Sequence, residues 1–258
     1  MCRILYNLVK LLLGGNKMLK NDILQELDKF RAVFYPDRCW FCNEVIEYKT
    51  DLCISCKENV KRISGNRCLN CGMAESFCDC KGKSHFYDGI TAPYMYNELV
   101  RRGILRWKYY DNVHAVKFFA KETVKCIIND FSSVKFDVIT YIPQTKNEED
   151  EKGQNQSELL AKEISKYLKI PCEQLLEKIF ETTRQHDLPM HMRYGNVFGV
   201  FGCTNKSTVT GKTILLIDDV KTSGNTLNEC AKVLQLNDAT AVYCAVIAVA
   251  ENKKSKKK

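Results

Sequence analysis

The sequence predicts an α/β fold, a parallel sheet flanked by helices, preceded by a small metal-bound cysteine module. Three observations predict it. Ile214–Ile217 is a continuous apolar run, the pattern of a strand buried on both faces of a parallel sheet. It leads through two carboxylates and a polar, glycine-bearing loop into Leu227, Cys230, Ala231, Val233 and Leu234, which recur at helical spacing. Further apolar runs at 136–142 and 241–249 alternate with helical patterns, and eight of the 14 cysteines fall in close pairs between Cys39 and Cys80.

The 258 residues accommodate one sizeable domain and a small one. The 45% apolar and 27% charged content is ordinary for a globular protein, and no apolar run approaches the roughly 20 residues that span a bilayer. The net charge of +8 sits at the ends. Glu251–Lys258 holds five Lys against one Glu, residues 1–17 carry Arg3, Lys10 and Lys17, and the body keeps about +1. Four thiolates around one Zn²⁺ are dianionic, so a metal-bound body would be acidic overall. This excludes a protein that holds nucleic acid through global basicity and leaves a local patch open. Clustered cysteines with metal spacing, in a chain this long, point to a reducing, cytoplasmic setting rather than a secreted disulfide framework.

Residues 1–35 read as a leader and an N-terminal helix. The leader has a basic start and a short apolar centre, as signal peptides do, but Lys10 interrupts the run and no clear small-residue cleavage site follows. Met18 offers a second start position, and an added leader or amphipathic helix is the expectation. Residues 18–33 form a helix with Ile23, Leu24, Leu27 and Phe30 on one side, closed by Phe34-Tyr35-Pro36.

Residues 36–84 form the cysteine module. Its pairs are Cys39-x2-Cys42, Cys53-x2-Cys56, Cys68-x2-Cys71 and Cys78-x-Cys80. A Cys-x2-Cys turn puts two thiolates on one side of a metal, and two turns close a tetrahedral Zn²⁺ site. Sequential pairing gives Cys39, Cys42, Cys53 and Cys56 in one site and Cys68, Cys71, Cys78 and Cys80 in the other. Spacing leaves interleaved pairing open, and with it one or two zinc ions. Closed four-cysteine sites are structural, so the module carries no catalysis. His85, beyond the cluster, reads as a surface histidine.

Residues 85–250 form the main domain. Tyr87–Tyr96 is strand material. Leu99–Tyr110 mixes Arg101, Arg102, Arg106 and Lys108 with Trp107, Tyr109 and Tyr110. That mixture fits a helix with one solvated basic face, and less closely a stacking surface for single-stranded nucleic acid. Val113–Ile128 is a second helix, with His114 at its start. The strand at 136–142 stops at Pro143. Loops past strand C-termini hold ligands in such sheets, which makes 144–156 a candidate loop. Ser157–Leu168 is a helix. Residues 182–201 lack periodicity and hold Gln185, His186, His191 and Arg193, as a long functional loop would, with Val197–Phe201 as a short strand. The last strand is 241–249, and the lysine tail at 251–258 is solvated charge.

The Asp218–Thr226 stretch carries the chemistry. Asp218 and Asp219 repel phosphate but accept hydrogen bonds from vicinal sugar hydroxyls, or bind Mg²⁺. The loop Lys221, Thr222, Ser223, Gly224, Asn225 and Thr226 opens a helix, whose free N–H groups favour an anion, and Gly224 lets the backbone approach it. A ligand with a phosphate beside a ribose diol satisfies both halves. The plain alternative is an ordinary strand–turn–helix with two solvated aspartates.

These residues resemble the phosphoribosyl-pyrophosphate (PRPP) loop of type I phosphoribosyltransferases, from Ile214 to Thr226. Preceded by the zinc pairs, the chain resembles the ComF family of competence proteins. Thr182, Gln185, Leu188, Arg193, Asn196, Gly199 and Phe201 match one family segment; Gly153, Asn155 and Gln156 match another; and the helix around Leu99–Tyr109 matches a third. The resemblance implies a type I phosphoribosyltransferase-like sheet, with Asp218 and Asp219 on the ribose hydroxyls of PRPP and Lys221–Thr226 on its 5′-phosphate. It implies structural Zn, Mg with PRPP, a role in natural transformation, and single-stranded DNA or a competence helicase as partners. An active transferase, moving ribose 5-phosphate to a nitrogen acceptor, is the alternative. The chain departs from the family in the loop before Gly153, where Glu148, Glu149, Asp150 and Glu151 replace a basic stretch and would repel a pyrophosphate. Lys221 stands where a neutral residue is common, and is expected to strengthen phosphate binding.

Overall fold

A computed structural model describes residues 36–48, 50–78, 80, 84–110, 113–144, 154–179 and 200–251. The leader and helix expected within 1–35, the acidic loop at 147–151, the 182–199 segment and the tail from 252 lie outside the described residues. The chain divides into two compact units, Met1–Asn59 and Val60–Lys258.

In the first unit, a turn at Cys39–Asn43 is held by the Asn43 N–H on the Cys39 carbonyl (2.9 Å) and the Cys39 N–H on the Glu44 carbonyl (2.9 Å). Asn43 is left-handed at φ 71°. Helix α1, Ile54–Asn59, follows Cys53. The larger unit begins with the same construction. The Gly72 N–H reaches the Cys68 carbonyl (2.8 Å), the Cys68 N–H reaches the Met73 carbonyl (2.9 Å), and Gly72 sits at φ 80°. The bridges Arg38–Val45 and Arg67–Ala74 close the two turns alike. The double module is therefore a repeat of one Arg-Cys-x2-Cys turn, with a left-handed residue after its second cysteine.

The main sheet holds β1 (Gly89–Thr91), β2 (Tyr94–Met95), β3 (Val138–Tyr141), β6 (Thr213–Lys221) and β7 (Ala241–Val249). Its order is β1-β7-β6-β3, with β2 also on β7, and every pairing is parallel. The continuous apolar runs earn the two central places. Ile214–Ile217 in β6 and Cys244–Ala248 in β7 are wholly buried. Strand β6 is longer than the sequence suggests. Its ladder with β7 continues through the acid pair to Lys221, opposite Val249. A two-stranded antiparallel sheet of β4 (Leu176–Lys178) and β5 (Phe201–Cys203) lies outside this sheet. The sequence reading had no strand at β4.

The helices are α2 (Glu98–Tyr110), α3 (Val113–Asp130), α4 (Gln156–Leu168) and α5 (Asn225–Leu236), of which α3, α4 and α5 pack on the sheet. Ile214, Leu216, Val242, Cys244 and Val246 share one core cluster with Leu227, Cys230 and Leu234 of α5. Side chains alternate along a strand, so Leu215, Ile217, Ala245 and Ile247 face the other side, where α3 packs on β7 and α4 on β3 and β6. The α5 cluster also contains Ile63, Cys71, Met73, Ala74 and Cys80. The second cysteine turn is thus built into the core of the larger unit. Gly72 permits this closeness, because a Cβ there would stand 3.1 Å from Val249 Cγ2. No helix among the described residues is long and apolar enough to cross a membrane.

Candidate functional site

The long β6 strand carries Asp218 and Asp219 to the C-terminal edge of the sheet, where ligands bind in parallel α/β folds. The chain then turns through Thr222 and Ser223 to Gly224, whose φ of 82° opens α5 with no side-chain cap on the helix. The Asn225 N–H reaches Ser223 Oγ at 3.3 Å. Thr222, Ser223, Asn225 and Thr226 are exposed around the buried Gly224. An uncapped helix start ringed by hydroxyls is a receptor for an anion.

Asp218 and Asp219 have different surroundings. Ser157 Oγ donates to Asp218 Oδ1 at 2.8 Å, and the Asp219 N–H donates to the same oxygen at 2.8 Å. Burial first, and then the neighbouring Asp219 carboxylate, push the Asp218 carboxyl up to about 7; the two donors and Lys108 restrain that rise. Asp219 accepts an ion pair from Lys108 Nζ, which reaches over from α2. Ser157 is positioned by Asn155, which is 2% exposed and caps α4. Asn155 Oδ1 accepts from the N–H groups of Ser157 (3.0 Å) and Glu158 (3.3 Å), and Asn155 Nδ2 donates to the Ile142 carbonyl (3.0 Å). One buried amide therefore fixes the start of α4 to the end of β3 and aims Ser157 at Asp218.

The structure thus gathers Asp218, Asp219, Thr222, Ser223, Gly224, Asn225 and Thr226 at one edge. Lys221 is placed differently. It is 7% exposed, and its Nζ donates to the Cys71 carbonyl at 3.2 Å. Burial lowers its pKa, opposed by the charges of Cys71, Cys244, Cys80 and Cys68. Its backbone lies at the head of the loop and its ammonium does not. Sequence reasoning left Lys108 and Ser157 out of the site. In sequence Lys108 belongs to the basic face of its helix, and the only signal for Ser157 is its place directly after Asn155-Gln156.

The cysteines form two sequential quartets, Cys39, Cys42, Cys53, Cys56 and Cys68, Cys71, Cys78, Cys80, with the sulfurs of each within 4.8 Å of one another. Sulfur pairs in the quartets lie at 3.5 Å (Cys42–Cys53), 3.6 Å (Cys68–Cys80 and Cys71–Cys78) and 3.2 Å (Cys78–Cys80). Tetrahedral zinc with Zn–S bonds of about 2.3 Å needs sulfurs roughly 3.8 Å apart, and a disulfide needs about 2 Å, so the quartets fit metal. In each quartet burial pushes one thiol up, but neighbouring backbone N–H groups and thiols that donate to it prevail and bring Cys39 and Cys68 down to about 7. His85 belongs to neither quartet; it stacks on Tyr87 with ring centroids 4.6 Å apart.

Comparison with known proteins bears on both halves. Residues 30–90 match the double zinc ribbon domain, and residues 154–258 match the phosphoribosyl transferase domain. Competence protein ComFC of Bacillus subtilis (strain 168) is 26% identical over 78% of this chain and 85% of its own length. Competence protein F of Haemophilus influenzae is 24% identical over 78% of this chain and 92% of its own. DNA utilization protein YhgH of Escherichia coli (strain K12) is 23% identical over 80% of this chain and 94% of its own. With two zinc-fitting quartets ahead of a parallel, phosphoribosyltransferase-like sheet, and relatives matched along most of their length, the chain matches the ComF-type competence proteins in both halves.

Proposed function

We propose that this protein binds PRPP, or a closely similar ribose 5-phosphate ester, and acts in the use of incoming DNA. The observation that carries this reading is the junction of β6 with α5. It sets two carboxylates beside an uncapped helix start ringed by exposed hydroxyls. The Thr222–Thr226 loop takes the 5′-phosphate, and Asp218 and Asp219 accept from the ribose diol. The DNA role rests on the relatives, which are named for competence and DNA utilization. Single-stranded DNA and a competence helicase are the partners that this role implies, in the cytoplasm.

A second reading, an active transferase, is favoured by Lys108. Its ammonium lies against Asp219, at the ribose end of the site. A cation there can move onto the pyrophosphate of PRPP and stabilise charge as it departs. Asp218 and Asp219 are the residues that would hold Mg²⁺, which would supply further neutralisation of the leaving group. Asp218 and Asp219 would then orient the diol, and Ser157 would hold the Asp218 carboxylate in place.

Phosphorus NMR of PRPP added to zinc-loaded protein tests the reading. The 5′-phosphate resonance should shift and broaden on binding, and the effect should vanish in Thr222→Ala/Thr226→Ala. An unchanged spectrum with folded protein overturns it. Release of free pyrophosphate on adding an amine or base would select the transferase.

A further inference from the structure

We infer that Lys221 is a positioning residue that ties the zinc of the second quartet to the phosphate loop. This rests on the reading of Thr222–Thr226 as a phosphate site. The side chain spans two places. At its tip, Nζ donates to the carbonyl of Cys71, one of the four quartet residues. Along its stem, Cε lies 2.9 Å from where a Cβ on Gly224 would stand, so the lysine stem is the floor under the left-handed turn of the loop. Lys221 is buried, and among the described residues it forms no ion pair with a carboxylate. A buried ammonium is unfavourable unless an opposite charge compensates it.

The second quartet provides that charge. Four thiolates on one Zn²⁺ are dianionic, and Cys71, whose carbonyl holds the Lys221 ammonium, is one of the four. Without metal that dianionic centre is gone. The ammonium then loses its partner, its stem has no reason to stay beneath Gly224, and the loop loses its floor. The shared core conveys the same event, since Cys71 and Cys80 pack in one cluster with Leu227 and Cys230 of α5.

The test uses full-length, zinc-loaded protein and two substitutions. Lys221→Met keeps an apolar stem and removes the charge; Lys221→Arg keeps the charge. Zinc affinity is measured by chelator competition, with Cys42→Ser/Cys53→Ser in the background so that only the second site reports. Amide exchange is followed over 222–228 in the same samples. Lys221→Met is expected to weaken the second zinc on the order of tenfold, while Lys221→Arg stays within about threefold of wild type. Stripping the second zinc is expected to raise exchange over 222–228. Unchanged zinc affinity in a folded Lys221→Met protein overturns the inference, as does loop exchange that ignores the metal. Failure of the zinc-loaded wild type to bind PRPP would instead sink the ligand reading, because neither zinc affinity nor exchange depends on it.

Discussion

Ser157 Oγ donates a 2.8 Å hydrogen bond to Asp218 Oδ1, so the first turn of α4 and the far end of β6 share one carboxylate. A ribose diol needs that carboxylate ionised, and burial with the adjacent Asp219 holds its pKa up at about 7. Affinity for PRPP is therefore expected to rise from pH 6 to pH 8. Ser157→Ala removes a donor that favours the ionised form, and should move the midpoint upward by about one pH unit. Calorimetric titrations across that range check both. The same shift has a stability consequence. A carboxyl with a raised folded pKa stabilises the fold fully below its ordinary value, near 3.8, and that contribution is lost as pH rises through about 7. Asp218→Asn should thus melt above wild type at pH 8, with the gap closing toward pH 5.

Lys108 is paired with Asp219 in the unliganded site. If it moves to the pyrophosphate, Lys108→Ala should weaken PRPP by about tenfold and ribose 5-phosphate by less than about twofold. Equal losses for both ligands would make it a holder of Asp219 only. Competition binding with the two ligands separates these results.

Two closed quartets predict two zinc ions per chain by elemental analysis. Cys42→Ser should leave one ion and a folded larger unit. Cys71→Ser should also leave one ion, but with a lower melting temperature for the sheet, because Cys71 is part of the core beneath α5. Chelation should melt 36–59 first, a segment whose only described helix is the six-residue α1. Metal counts paired with near-ultraviolet circular dichroism read both effects.

Gly224 sits at φ 82°, and a Cβ there would lie 2.9 Å from Lys221 Cε. Gly224→Ala should cost about 1–2 kcal/mol from the left-handed backbone alone. It should also reduce binding of inorganic phosphate, since the loop must shift to clear the lysine stem. Thermal melts and phosphate titration of one sample measure the two together.

The sheet was legible because its central strands are buried on both faces and read as unbroken apolar runs, Ile214–Ile217 and the stretch ending at Val249. The quartets were legible because ligand spacing is local; their pairing was not, and only the folded chain shows it to be sequential. Strand β4 is not legible in the sequence because Leu176–Lys178 is three residues long and has no period to detect. The site was half legible. Its acids and loop are contiguous in sequence, whereas Lys108 and Ser157 reach it from α2 and α4 through tertiary packing. Lys221 shows the opposite limit. Its position within the motif suggests a phosphate ligand, but β6 continues four residues past Ile217, to Lys221, and the side chain meets Cys71.

The most direct measurement is calorimetry of zinc-loaded protein with PRPP and Mg²⁺, alongside Asp218→Asn/Asp219→Asn. The expected result is saturable, one-to-one binding by wild type that the folded double variant loses. Absence of binding by folded wild type, or equal binding by the double variant, would contradict a ribose-phosphate site at the end of β6.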